Sequence, residues 1–145
     1  MAERFQSFSA VLPMIYKDRK VLLQLRQNTG YKDGYWDFAG SGHVEKGETA
    51  TQALIRECRE ELGISISEGE PTLKHISQVV FPERTYLYFY FSVHHFDRIP
   101  TIQESEKCAQ LAWFSIEQLP ENMIPTHQAN LERILTGKFY SEIKL

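Results

Sequence analysis

Apolar and polar residues mix with β-like alternation from Phe5 to Ile15 and again over Val21 to Gln27, on either side of the turn-forming Lys17-Asp18-Arg19. This pattern predicts an antiparallel hairpin. Turn-forming residues fill Asn28 to Gly34, and Tyr35 to Ala39 reads as a short strand leading to Gly40 and Gly42, glycines of the kind that let backbone approach a ligand closely. Further on, Leu73 to Phe81 and Arg84 to Phe96 read as two strands around Pro82-Glu83. In the second of them Leu87, Phe89, Phe91 and Val93 share one face, and Tyr86, Tyr88 and Tyr90 share the other. Both faces are large and mostly apolar, as suits a central strand covered on two sides. Leu111 to Phe114 is a short strand and Ile116 to Leu119 a turn of helix. Ile124, Leu131, Ile134 and Leu135 mark a C-terminal amphipathic helix that ends at Gly137.

Between the two pairs of strands the period changes to that of a helix. Leu54, Ile55, Cys58 and Leu62 form an apolar stripe that can bury against a sheet, and Gly63 is a natural stop, followed by a polar loop from Ser65 to Pro71. At about 100° per residue, Glu57, Glu60 and Glu61 crowd a different, narrow face. Like charges at this spacing each destabilise a helix by a few tenths of a kcal/mol, roughly. The cluster therefore calls for a cation. Ligands that are all oxygen, with no Cys or His placed to join them, suit Mg²⁺, with Mn²⁺ as a substitute, better than zinc. Ala50 and Ala53 fall on the same face, where their small size would leave room for metal and a bulky anion.

The segment GHVEKGETATQALIRECREELGI, Gly42 to Ile64, satisfies the pattern G-x5-E-x7-R-E-U-x-E-E-x-G-U, with Cys58 the one loose fit at an aliphatic position. A chance match in a chain of this length has odds on the order of one in a million by ordinary residue usage. The segment resembles the Nudix box of the Nudix hydrolases, in particular the MutT-like branch. The likeness extends from NTGYKDGYWDFAG on one side to ESEKCAQLAWFSIEQLPENMIP on the other.

The resemblance implies an α+β fold, an αβα sandwich with a mixed sheet between helices, spanning residues 1–145 as one domain. It implies a divalent-metal pyrophosphohydrolase, with the metal held by Glu57, Glu60, Glu61 and the carbonyl of Ser41, where many relatives have Gly. Gly42, Glu48, Arg56 and Gly63 become structural members of the box, Glu48 and Arg56 tying loop to helix. Glu57 or Glu60 is the general base, or else Glu104 or Glu106 from the loop Arg98 to Lys107, whose ESEKC is similar to an EPEKC pattern of MutT-like nucleotide hydrolases. Tyr86 and Tyr88 are candidates to stack on a base.

Composition sets bounds on this picture. With 145 residues, 42% of them apolar, the chain can bury one ordinary core. A net charge of −3 lacks the basic excess that a nucleic-acid polymer would require. Cys58 and Cys108 fall in no metal-binding or redox spacing, which agrees with reduced thiols in a cytoplasmic protein, and no stretch is apolar for long enough to cross a membrane. His94 and His95 point to opposite faces of a strand and cannot jointly hold a metal. The expected partner is a small nucleotide, with a homodimer left open. The favoured reaction is cleavage of a nucleoside triphosphate to monophosphate and pyrophosphate. The alternatives are hydrolysis of a nucleoside diphosphate sugar, a dinucleotide or a cofactor, and a non-catalytic Nudix-like sensor.

Overall fold

The computed structural model describes residues 2–145. Among them the chain forms β1 (Phe8–Lys17), β2 (Lys20–Arg26), β3 (Trp36–Phe38), β4 (Gly42–His43), α1 (Ala50–Leu62), β5 (Thr72–Val80), β6 (Thr85–Val93), β7 (Cys108–Ser115), α2 (Pro125–Leu135) and β8 (Tyr140–Lys144). The sheet runs β3-β2-β1-β6-β5-β8, with β4 added to β1 and β7 to β2. It is mixed, because β1 lies parallel to β6 and β5 parallel to β8 while the other pairs are antiparallel.

Each face of the sheet carries a helix. Val11, Ile15, Phe91 and Val93 pack with Leu54, Cys58 and Leu62 of α1, whereas Leu12, Met14, Phe38 and Tyr90 pack with Leu131 of α2. Alternation along β1 and β6 sends successive side chains to opposite layers, so the strands are apolar throughout. Such a sandwich, an α+β fold with helices on both sides of a mixed sheet, is what the sequence implied.

The predicted hairpin exists, but it is short. Asp18 and Arg19 both adopt positive φ, 51° and 63°, the sense that matches the twist of paired strands. After Tyr16↔Val21 and Lys17↔Lys20 the two strands part company. β1 continues alongside β6 from Phe8↔Tyr86 to Ile15↔Val93, while β2 joins β3 and β7. The parting of β1 from β2 opens a cleft lined by Ala10, Val11 and Leu12 on one side and Gln24 and Arg26 on the other.

Helix α1 begins where its backbone donors find partners. Thr49 Oγ1 accepts from the Gln52 N–H at 3.1 Å and Gln52 Oε1 accepts from the Thr49 N–H at 3.0 Å, a reciprocal capping box. The helix ends at Gly63, left-handed at φ 68°, with its N–H donated to the Arg59 carbonyl.

Four expectations change. Residues 116–119 form a turn without helical structure. Strand β6 stops at Val93, so His94 and His95 lie in the following loop, where both backbone N–H groups donate to Glu70 Oε2. The sequence reading assigned nothing after Gly137, yet β8 pairs with β5 from Ile76↔Tyr140 to Val80↔Lys144. Lastly, Ala53 is fully buried between α1 and the sheet and Ala50 packs beside it, so neither opens space for a metal or an anion.

With apolar cores on both faces, Leu54→Ala and Leu131→Ala should each cost about 2–5 kcal/mol of stability. Urea unfolding would measure this, and a loss below 1 kcal/mol, roughly, at either position would contradict a two-sided core.

Candidate active site

The acidic face of α1 borders the cleft, and its three carboxylates meet different conditions. Glu60 is about half exposed, with 53% of its side chain accessible, whereas Glu57 retains only 14%. Glu61 Oε2 is buried and has no hydrogen-bond partner. Burial, followed by the charges of Glu57 and Glu104, pushes the Glu61 carboxyl up to about 8. Burial also raises Glu57, against the opposing effect of Arg56.

Arg56 organises these groups. Its Nε and Nη2 grip Glu48 at 2.7 and 3.0 Å, a two-pronged pair that ties the loop before α1 to the helix. Its Nη1 donates to Glu57 Oε1 at 2.8 Å and to Glu60 Oε2 at 3.3 Å, and Nη2 also reaches the His43 carbonyl at 3.0 Å. The Arg56 hydrogen bonds, with the Glu45 backbone N–H, hold Glu48 down to about 2. Gly42 leaves room beside this cluster for the Glu57 carboxylate where it now lies. A Cβ there would lie 2.6 Å from both carboxylate oxygens of Glu57, inside any real contact distance.

The cleft also has an aromatic wall. Tyr86 and Tyr88 stack on each other at 5.3 Å with an interplanar angle of 9°, and the Tyr86 hydroxyl meets His43 Nε2 at 3.0 Å. The floor is polar: Asp37, only 3% exposed, accepts from Arg26 Nη1 at 3.1 Å and from Ser41 Oγ at 3.3 Å, with His127 beside it. The whole cleft measures about 1070 Å³. A second hollow of about 1280 Å³, between the β1–β2 turn and residues 94–99, contains none of the box residues.

The cleft thus gathers Ser41, Gly42, Glu57, Glu60, Glu61, Tyr86, Tyr88 and Glu104. Glu48 and Gly63 lie behind it as supports, and Glu106 stands outside it, exposed, its carbonyl accepting from Asn28. The loop carrying Glu104 is docked on α1, with the Thr101 and Gln103 N–H groups donating to the carbonyls of Leu62 and Glu61 at 3.0 Å each. Sequence reasoning missed Arg26, Asp37 and His127. They belong to three separate elements, and no spacing connects them.

Among the described residues no three carboxylate, imidazole or thiol groups are yet gathered close enough to enclose a metal ion. Arg56 holds both Glu57 and Glu60. The donor set nonetheless fits a hard cation: it is all oxygen, partly buried, and contains a carboxylate oxygen with no hydrogen-bond partner.

Residues 7–135 match the family model described as NUDIX domain. The chain belongs to the NUDIX family. That family generally uses divalent metal cations. Over 69 residues the chain is 45% identical to the CTP pyrophosphohydrolase of Escherichia coli K12, an alignment covering 48% of this chain and 50% of that protein. Over 65 residues it is 35% identical to an isopentenyl-diphosphate Delta-isomerase from Salmonella heidelberg, covering 43% of this chain and 36% of the relative. The chain therefore spans half or less of the curated relatives it matches. A MutT NUDIX hydrolase structure from Burkholderia pseudomallei superimposes with a TM-score of 0.79 at 25% identity, covering 88% of this chain and 97% of that one. The fold is the Nudix fold, and no helix among the described residues is long and apolar enough to cross a membrane.

The Nudix clamp predicts a pH signature. Because the folded-state pKa of Glu48 lies near 2, below the ordinary 4.5, its stabilisation is complete above about pH 4.5 and is lost as the pH falls through about 2. Glu48→Gln should lower the thermal midpoint at pH 7, and the gap from wild type should close as the pH drops across that window. Melts followed by circular dichroism would show it. A gap that is the same at pH 7 and pH 2.5, or about that, would mean the ion pair is not what the variant lost.

Proposed function

We propose that the protein is a pyrophosphohydrolase dependent on a divalent cation, cleaving a nucleoside triphosphate to nucleoside monophosphate and pyrophosphate. The observation that carries this reading is the cleft itself: half-buried Glu57 and Glu61, the latter with an unpartnered oxygen, line one cavity together with the Tyr86 and Tyr88 rings. The acids suit a metal-bound polyphosphate, and the flat rings suit a base. The two relatives are named for CTP and for isopentenyl diphosphate. Their names share a chain of linked phosphates, which supports a box that handles that group and leaves the attached moiety to other residues.

Glu57, Glu60 and Glu61, with the Ser41 carbonyl, are the groups that would hold the cation, Mg²⁺ by their hard oxygen character, with Mn²⁺ as substitute. When bound, it would neutralise phosphate oxygens and acidify a water. The chain's own part is to position and to move a proton. Arg56 sets the orientation of Glu57 and Glu60. The proton of the attacking water passes to a carboxylate, with Glu57, Glu60 and half-buried Glu104 in the cleft ahead of exposed Glu106. Tyr86 and Tyr88 supply the surface on which the base rests.

Two measurements test the reading. Monophosphate and pyrophosphate release is assayed over nucleoside triphosphates, dinucleotides and nucleotide sugars, with Mg²⁺ and with EDTA. Turnover of triphosphates should require the cation and should fall by at least about 10²-fold in Glu57→Gln. Turnover of dinucleotides or nucleotide sugars alone would replace the substrate, and tight nucleotide binding without turnover would favour a sensor. Separately, added Mg²⁺ should raise the thermal midpoint of wild type and leave Glu61→Gln nearly unmoved. Without cation the variant should be at least as stable as wild type, since it no longer buries an unpaired carboxylate. An equal Mg²⁺ shift in both proteins would remove Glu61 from the cation site.

A further inference from the structure

The loop that brings Glu104 to the cleft is held from two sides. On one side is the C-terminal end of α1, whose last carbonyls have no partner within the helix. The Thr101 and Gln103 N–H groups donate to the Leu62 and Glu61 carbonyls, and the Gln103 side chain, packed over Gly63, donates from Nε2 to Thr101 Oγ1 at 2.6 Å. On the other side is the end of β2. The Gln27 N–H donates to the Lys107 carbonyl at 3.1 Å, Gln27 Nε2 to the Ser105 carbonyl at 2.8 Å and Asn28 Nδ2 to the Glu106 carbonyl at 3.1 Å. The Glu104 carbonyl closes the turn by accepting from the Lys107 and Cys108 N–H groups. The four successive carbonyls from Glu104 to Lys107 are thus all occupied, two of them by side-chain amides.

Glu104 depends on this turn more than the other cleft acids depend on their surroundings. Arg56 orients Glu57 and Glu60, whereas the Glu104 carboxylate has no hydrogen bond or ion pair with any described residue. It is half-buried in the cleft, and its charge helps to raise the carboxyls of both Glu57 and Glu61. Where it stands is therefore set by its backbone, and the backbone is set by the turn. Asn28 also adopts a φ of 54°, a region that asparagine enters more readily than most residues, so both its backbone and its side chain suit the position.

We propose that Gln27 and Asn28 are positioning residues for Glu104: their side-chain amides tether the 104–107 turn to the end of β2 and so set where the Glu104 carboxylate stands among the cleft acids. The catalytic consequence rests on the hydrolase reading above. The tether itself does not. The same loop is fixed to α1 at Thr101 and Gln103 and to the end of β2 at Gln27 and Asn28, so it ties together the two elements that carry the box and the first hairpin.

Gln27→Met removes one donor without adding charge, and Asn28→Gly removes the other while tolerating the positive φ. In the double variant, hydrogen exchange followed by NMR should quicken by roughly fivefold or more at the Lys107 and Cys108 amides. The Thr101 and Gln103 amides should keep their wild-type rates, which separates loosening of the turn from unfolding of the domain. Unchanged rates at Lys107 and Cys108, or an equal acceleration at all four amides, overturn the tether. With the triphosphate that wild type turns over best, kcat of the double variant should fall by roughly tenfold or more while KM stays within about twofold, as displacement of a group that acts on the reaction and not on substrate binding would give. Placed in Glu104→Gln, the same two substitutions should cost nothing further, because they act through the carboxylate already removed. A double variant with wild-type kcat, or an equal loss in both backgrounds, overturns the role toward Glu104. The exchange rates need no hydrolysis, so a wild type that turns over none of the triphosphates would count against the proposed reaction and leave the tether to be decided by exchange alone.

Discussion

One guanidinium sets the geometry on which the cleft depends. Arg56 grips Glu48 with two prongs, restrains Glu57 and Glu60, and binds the His43 carbonyl of the strand that enters the box. Without it, three carboxylates on neighbouring helical positions would repel one another and Glu48 would lose its tie to the helix. Arginine suits this position because its planar fork makes several directed bonds while staying charged. Gly42 meets the same constraint from the other side: the space a side chain would take is filled by the Glu57 carboxylate.

The sheet supplies the second requirement, a place for that cluster to face. A hairpin paired along its full length would close the gap between β1 and β2. Here two residue pairs join them, and β1 then follows β6 while β2 follows β7. The two wings diverge and leave a cavity lined by both the acidic cluster and the tyrosines. The cost of the arrangement falls on Glu61, a half-buried carboxylate whose pKa is pushed to about 8 with no partner for one oxygen. Groups held in such disfavoured states cluster at functional sites, since a ligand that relieves them gains affinity.

Behind the tyrosine wall the same economy recurs in uncharged form. The Tyr90 hydroxyl, buried by the packing of α2 on the sheet, is satisfied by Asn130 and His127, and Asn130 Oδ1 in turn accepts from Arg133 and Ser141. His127 therefore belongs both to this buried layer and to the lining of the cleft.

The sequence by itself determined the local features. Helix α1, its stop at Gly63, its buried stripe of Leu54, Cys58 and Leu62 and its acidic face all follow from a 3.6-residue period, and the two apolar faces of β6 follow from a period of two. The box motif, read on those elements, pointed to the family. Tertiary structure decided what periodicity cannot encode: that Ala53 faces the core and away from the site, that β8 finds an edge on β5 more than 60 residues earlier in the chain, and that β1 deserts β2. It also brought Arg26, Asp37 and His127 to one floor from three separate elements. Contacts of this kind join residues far apart in the chain through close packing, so no local pattern announces them, and which helix face meets water is settled only when the sheet takes up its position beneath it.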